Sequence, residues 1–302
     1  MSNLGHEHAT KVVTRHLDRM LPGPYRWVRR YVYPEIRQRR IRAFVIEHEQ
    51  AAQSTHFPNP ASSLAIVVPC YQHAGYLETM VTSIKRQSRP PDQVIFVEDH
   101  SADDGAHILH ELIEEWRPRT PSQLMLIRNE QNLGQATSLN RGIEEAETDL
   151  IMIANDDDYL LHDCVEVAFM LFRRYPEVAL IGAHFGEYPL QFSGDEALSQ
   201  LPKLIREFLP PEQLELDLRQ TECVNKYRRF NDLNMTHTGS CFQKAAWKTA
   251  GGYQPDKKKC LVQYSDRDFQ LRVNALFPVA VSPDIPFSCW RNDSSVDVEL
   301  NS

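Results

Sequence analysis

The chain has no run of 18 or more apolar residues, no CxxC, no GxGxxG and no GxxxxGK[ST]. The first absence argues against a membrane-spanning helix. The second argues against a zinc knuckle or a dithiol redox site, and the last two against a dinucleotide-binding glycine turn or a P-loop. The six cysteines, Cys70, Cys164, Cys223, Cys241, Cys260 and Cys289, are scattered and have no histidine at zinc-like spacing, so a dense disulfide scaffold is excluded as well. A reducing compartment suits them, and the polar start MSNLGHEHAT lacks the apolar centre of a signal peptide. The expectation is a cytoplasmic protein, or one peripheral at the inner face of a membrane. Positive charge is in deficit: Lys and Arg number 33 against 41 Asp and Glu, for a net charge of -8 and a pI near 5.8. That balance speaks against polyanion binding in general, so no nucleic-acid partner is expected.

Such basic charge as exists is concentrated near the N-terminus. Between Lys11 and Arg42 there are ten Lys or Arg and two acids, interleaved with Tyr25, Trp27, Tyr31 and Tyr33. A basic aromatic face of this kind suits an anionic membrane surface. It equally suits a helical arm that packs its aromatics on the body of the protein or on a second copy, through residues 11–45. Residues 1–60 read as a helical extension that ends in the turn-rich FPNPASS.

From Leu64 onward, short β-branched runs alternate with amphipathic stretches, the pattern of a βαβ array. Strands are predicted at 64–68, 93–97, 124–127, 150–154 and 178–182, with helical periodicity in the segments between them. The fold class is therefore α/β, doubly wound, with a mostly parallel central sheet. Residues 61–183 form its first half and 184–302 its second, and a proline-containing excursion without clear strand pattern runs from Tyr188 to Asn234.

In an open α/β sheet the ligand sits beyond the carboxyl ends of the strands. Those ends here are polar: PCYQ (69–72), EDHSADD (98–104), RNEQNLG (128–134) and NDDDY (155–159). The apolar LIMIA runs straight into Asp156, Asp157 and Asp158, three mutually repelling acids. Carboxylates are hard ligands that suit Mg2+ or Mn2+; the plainer alternative is an Asp-rich turn that caps the helix starting near His162. In EDHSADD, Asp99 is the candidate to accept hydrogen bonds from a base or ribose, while Ser101 to Asp104 read as a helix N-cap with acids in the first turn.

Four of these segments, taken in order, resemble the nucleotide-binding half of the GT-A glycosyltransferases, in particular the inverting family two. Its P-x-Y-N matches Pro69-Cys70-Tyr71-Gln72, its D-D-x-S-x-D matches Glu98 to Asp103, its N-x-G-x-x-x-x-x-N matches Asn132 to Asn140, and its D-x-D-D matches Asn155 to Asp158. GSCFQKAAWKTAGGYQPD is similar to the family's acceptor-side segment, YSDRDFQLRV to the helix that carries its general base, and CWRNDSSV to its C-terminal aromatic-basic motif. The chain departs from the pattern at Asn155, where the family has Asp, at Ser265, where it has Glu, and at Asp293, where it often has His.

The resemblance implies a metal-dependent inverting transfer from a nucleoside diphosphate sugar, a uridine diphosphate sugar by default, to an acceptor hydroxyl on a glycan, a lipid-linked sugar or a small molecule. It implies Asp266 as general base. Donor contacts fall to Pro69, Tyr71, Asp99, Gly134, Asn140, Asp156 and Arg291, and Mn2+ or Mg2+ is held by Asp157, Asp158 and Asp293. Asp268 and Arg272, four residues apart on one predicted helix, read as a structural ion pair. Two rival readings stand beside this one: a sugar nucleotidyltransferase, which would need a glycine-rich basic loop where CYQHAGY stands, and an inactive scaffold that binds a nucleotide-sugar or glycan.

Overall fold

A computed structural model describes residues 33–183, 190–192, 217–219, 235–262, 264–282 and 287–291. Its frame is set by the first strand, β1 (Leu64–Cys70), every residue of which is buried. Such continuous burial is what a central parallel strand covered on both faces requires. Parallel partners flank it: β2 (Gln93–Glu98) on one side, followed outward by β3 (Gln123–Arg128), and β4 (Leu150–Ile153) on the other. Beyond β4 the sheet continues through β9 (Cys241–Gln243), β6 (Leu180–Ala183), β10 (Val279–Ser282) and β8 (Asp217–Arg219). Three short strands, β5 (Tyr159–Leu160), β11 (Ser288–Arg291) and β7 (Leu190–Phe192), make a second small sheet.

The five predicted strands are all present, but the last of them is not the neighbour of β4. The strand β9 lies between β4 and β6, antiparallel to both. The sheet is thus parallel over β3-β2-β1-β4 and mixed beyond it. The reversal has a positional consequence: because β9 runs against β4, residues 235–240, which lead into β9, lie at the carboxyl end of β4. The Ser240 carbonyl accepts from the Ile153 amide at 3.0 Å, and the Gly239 amide donates to the Ile153 carbonyl at 2.8 Å.

Alternate residues of β1 feed two cores. Leu64, Ile66 and Val68 face a cluster that contains residues of α2 (Leu77–Lys85), α3 (Gly105–Trp116) and α5 (Cys164–Arg174). Ala65 and Val67 face a cluster that contains residues of α4 (Gln135–Glu145), α6 (Lys244–Thr249) and α7 (Ser265–Leu276). The helix α1 (Tyr33–Ser54) lies against α6 and α7. Ile41 is fully buried there, and Arg40 donates to the Lys259 carbonyl at 2.8 Å. Part of the basic aromatic segment therefore packs on the body; residues 1–32, with Tyr25, Trp27 and Tyr31, lie outside the described residues, as does most of the excursion from 188 to 234.

Pro69 sits in β1 without breaking it. Val67 accepts from the Ala154 amide on the β4 side, so by strand alternation residue 69 also faces that side, where β4 has already ended. The missing N–H of proline therefore goes unneeded. Gly142 explains how closely α4 approaches the sheet: a Cβ there would come within 2.6 Å of Val67 Cγ1 and 2.9 Å of Val97 Cγ2. Overpacking of this kind costs about 1–3 kcal/mol, which exceeds the gain of about 1 kcal/mol from alanine's helix propensity. Gly142→Ala is accordingly expected to lower stability in urea unfolding; an increase would contradict the close packing.

Candidate active site

Both non-glycine residues with positive φ among those described, Gln72 at 55° and His100 at 59°, sit just beyond the carboxyl ends of β1 and β2. Strain of about 1 kcal/mol or more at each persists only where surroundings enforce it, and the surroundings here are a lattice of side-chain to backbone hydrogen bonds. Ser101 Oγ accepts from the Gln72 amide at 3.1 Å, Asp103 Oδ2 from the Ala74 amide at 2.9 Å, and Glu98 Oε1 from the Ser101 amide at 2.6 Å. These bonds tie the β1 and β2 loops together. They also refine the expected N-cap: α3 begins at Gly105, preceded by Asp104 without a side-chain cap; Ser101 holds the loop after β1, and Asp103 holds that loop through Oδ2 while its Oδ1 accepts from the Gly105 amide at 3.1 Å.

Asp156 is the inner member of the acid triplet. Its Oδ2 accepts from the Tyr71 amide at 2.8 Å, and its Oδ1 faces His73 Nδ1 at 2.8 Å. The side chains of His73 and Asp156 are both 8% exposed. Burial raises the Asp156 carboxyl above its ordinary range even against the His73 hydrogen bond. Burial also opposes charge on His73, yet the hydrogen bond and charge of Asp156, joined by Asp157 and Asp103, leave its imidazole raised.

Asp158 points elsewhere. Its Oδ2 accepts from Thr238 Oγ1 at 2.5 Å and from Asn155 Nδ2 at 3.2 Å, and its Oδ1 from the Arg291 amide at 3.2 Å. Burial, and then the charge of Asp157, push its carboxyl up to about 7. Its donors thus bind the acid loop to the segment before β9 and to β11. Among the described residues the metal-competent group is His73, Asp156 and Asp157, one ligand atom of each lying within 4.8 Å of the others. Asp158 is not part of that group; its oxygens bond the Thr238 hydroxyl, the Asn155 side-chain amide and the Arg291 backbone amide. Asp157 is the half-exposed member, and Asp293 lies outside the described residues. None of the three acids caps α5, whose N-cap residue Asp163 makes no side-chain cap bond, so the plain capping reading of the triplet fails.

The remaining expected donor contacts divide. Tyr71 is exposed beside the cluster, and Pro69 is buried in β1 immediately behind it. Arg291 Nε donates to the Asp157 carbonyl at 3.2 Å, and its guanidinium stacks 4.4 Å from the Tyr76 ring, a cation set next to the acids. Asp99, expected to face a base, is buried and takes the Leu133 and Gly134 amides at 2.8 Å each and Asn129 Nδ2 at 2.6 Å. It anchors the turn that starts α4, where Gly134 adopts φ +81° in open space, a conformation that favours glycine. Asn140 is spent differently from expectation: it bonds the Tyr253 carbonyl and amide at 2.8 Å each and Trp247 Nε1 at 3.2 Å. Its amide locks α4 to the Gly251-Gly252-Tyr253 turn.

Asp266 opens α7 and is half-exposed. Its charge acts on buried His237 and Tyr253, whose His237 Nε2 and Tyr253 hydroxyl are 3.0 Å apart. His237 precedes Thr238, the partner of Asp158, so Asp266 and the acid loop meet one segment. Two residues on, Asp268 is fully buried and accepts from Arg272 Nε at 2.8 Å, while Arg272 donates onward to the Ala250 and Gly252 carbonyls. The pair is structural, as its spacing suggests. His73 and His237 were not visible as site residues in the sequence; the one cue was the polar character of the loop after β1.

A family model described as glycosyl transferase family 2 matches residues 65–229. The amylovoran biosynthesis glycosyltransferase AmsE of Erwinia amylovora is 26% identical over 210 residues, covering 69% of this chain and 68% of that protein. An uncharacterized glycosyltransferase of Haemophilus influenzae is 28% identical over 110 residues, 36% of this chain and 42% of its own length. A putative teichuronic acid biosynthesis glycosyltransferase of Bacillus subtilis, TuaG, is 29% identical over 114 residues, again covering 36% of this chain and 42% of that protein. The matched part therefore spans less than half of the latter two. Among solved structures, S. aureus TarS 1-349 in complex with UDP-GlcNAc aligns with TM-score 0.55 at 15% identity, covering 78% of this chain and 60% of that one. The mannosyltransferase PcManGT from Pyrobaculum calidifontis, in complex with GDP-Man and Mn2+, aligns with TM-score 0.51 at 14% identity, covering 83% and 67%. The shared fold is GT-A.

Removing one partner of a buried ion pair costs about 3–5 kcal/mol. Asp268→Ala is thus expected to unfold the protein at markedly lower urea, whereas Asp266→Ala leaves the unfolding free energy within about 0.5 kcal/mol of the parent's and the midpoint close to it. Equal midpoints for the two variants would contradict the division of labour on α7.

Proposed function

This chain belongs to glycosyl transferase family 2, and from that premise we infer that it transfers a sugar from a nucleoside diphosphate sugar to an acceptor hydroxyl, with inversion and with a divalent ion. The observation that carries the reading is that the acid loop after β4, which holds the His73, Asp156 and Asp157 cluster and reaches Thr238 through Asp158, and the half-exposed Asp266, whose charge acts on His237, meet at the segment before β9. A cluster of anions beside a guanidinium fits a cation and the diphosphate that shares it. The donor set suits the ion: carboxylate oxygens are hard ligands, and the buried Nε2 of His73 has no hydrogen-bond partner. When bound, Mn2+ or Mg2+ neutralises charge on the departing diphosphate.

The chain's own residues do the rest in this reading. Asp157 holds the ion, and Tyr71 and Pro69 form the wall on which the nucleotide base lies. Uridine is the default base, supported by the fold shared with a protein solved with UDP-GlcNAc. The Arg291 guanidinium offsets negative charge at the diphosphate. Asp266 takes the acceptor's proton while the acceptor oxygen bonds to the anomeric carbon, and the bond from that carbon to the diphosphate oxygen breaks with its electron pair leaving on the diphosphate. One displacement from the opposite face inverts the configuration. Relatives named for amylovoran and teichuronic acid biosynthesis support a growing glycan as the acceptor class.

General-base catalysis contributes about a hundred- to ten-thousand-fold. Asp266→Asn is therefore expected to lower turnover at least about a hundredfold with donor affinity near normal; turnover near the parent's would remove Asp266 from the mechanism. EDTA is expected to abolish diphosphate release, and Mn2+ or Mg2+ to restore it. Nucleotide binding without any release, in the presence of metal and acceptor, would favour an inactive scaffold instead.

A further inference from the structure

His73 has a geometry that the donor and base assignments leave unexplained. Its side chain is 8% exposed, its Nδ1 sits 2.8 Å from Asp156 Oδ1, and its Nε2 is buried with no hydrogen-bond partner. A buried polar atom left unpaired costs about 1–3 kcal/mol, a penalty that a purely structural histidine avoids by finding an acceptor or donor on both sides. Asp156, meanwhile, has one oxygen on the Tyr71 amide and the other on His73, so its carboxylate is directed at protein donors. A carboxylate against Nδ1 fixes the proton on that nitrogen and leaves the lone pair of the buried Nε2 available to a ligand. This carboxylate-histidine order is the arrangement by which proteins orient an imidazole toward a metal. Asp157 completes the group within 4.8 Å.

We propose that His73 is a protein ligand of the divalent ion beside Asp157, with Asp156 as its positioning residue, and that this nitrogen makes the site select Mn2+ over Mg2+. The inference rests on the metal-dependent reading above. Its chemical content is ligand softness: imidazole suits transition ions, whereas Mg2+ favours oxygen ligands in near-octahedral array and gives up water reluctantly. A site of two carboxylates alone has no such preference built in.

The test uses the full chain with UDP and Mn2+, read by electron paramagnetic resonance. The expected result is a bound Mn2+ signal with nitrogen hyperfine coupling that disappears in His73→Gln. That variant is expected to bind Mn2+ at least about tenfold more weakly, while its Mg2+ affinity, measured by competition, stays close to the parent's. His73→Asn serves as a second variant, and melting in the absence of metal checks that both fold. Bound Mn2+ without nitrogen coupling, or with coupling that survives in both variants, overturns the role of His73 and leaves the metal site standing. No Mn2+ binding by the parent chain, even with UDP, overturns the metal reading and this inference with it.

Discussion

The structure at the end of the sheet depends on one buried carboxylate. Asp156 joins the loop after β1 to the loop after β4 by accepting from Tyr71 and facing His73. Both loops leave parallel neighbours of the same sheet, so this bond converts two strand ends into one surface. A buried carboxylate is costly unless its hydrogen bonds are satisfied; here both oxygens are, while Asp157 next to it stays half-exposed. The same economy governs Asp158 and Asp99. Each is buried and each is fully engaged, the first with Thr238, Asn155 and Arg291, the second with Leu133, Gly134 and Asn129.

This separates the buried acids that build the site from the two that stay half-exposed. Asp99, Asp156, Asp158 and Asp268 spend their oxygens on amides, hydroxyls and guanidinium, and so fix loops. Asp157 and Asp266 lie half-exposed at the edge. Preorganisation of this kind is what positions a reactive group without reorganisation at the moment of reaction.

The central strands were legible because their burial is two-sided: β1, β2 and β4 are runs of apolar residues with no polar break, and polar residues begin where the strands stop. The position of β9 was not, because a three-residue strand carries no periodicity and its pairing with β4 and β6 is decided by tertiary contacts. At the site, Asp157 and Asp266 stood out from motif position. Asn140 and Asp99 were equally visible as motif residues, but their partners, Tyr253 and the 133–134 amides, depend on how α4 lies on the sheet, which spacing does not encode. His73 was hidden for the same reason: a single histidine in a polar loop has no pattern until folding sets it against Asp156, 83 residues away.

The central claim is that the acids at the carboxyl end of β4 grip a cation shared with a diphosphate. Anomalous diffraction from crystals soaked with Mn2+ and uridine diphosphate tests it most directly. The account predicts one strong manganese peak between Asp157 and the diphosphate oxygens. Ordered nucleotide with no metal at that corner, or metal bound at a different place, would contradict it.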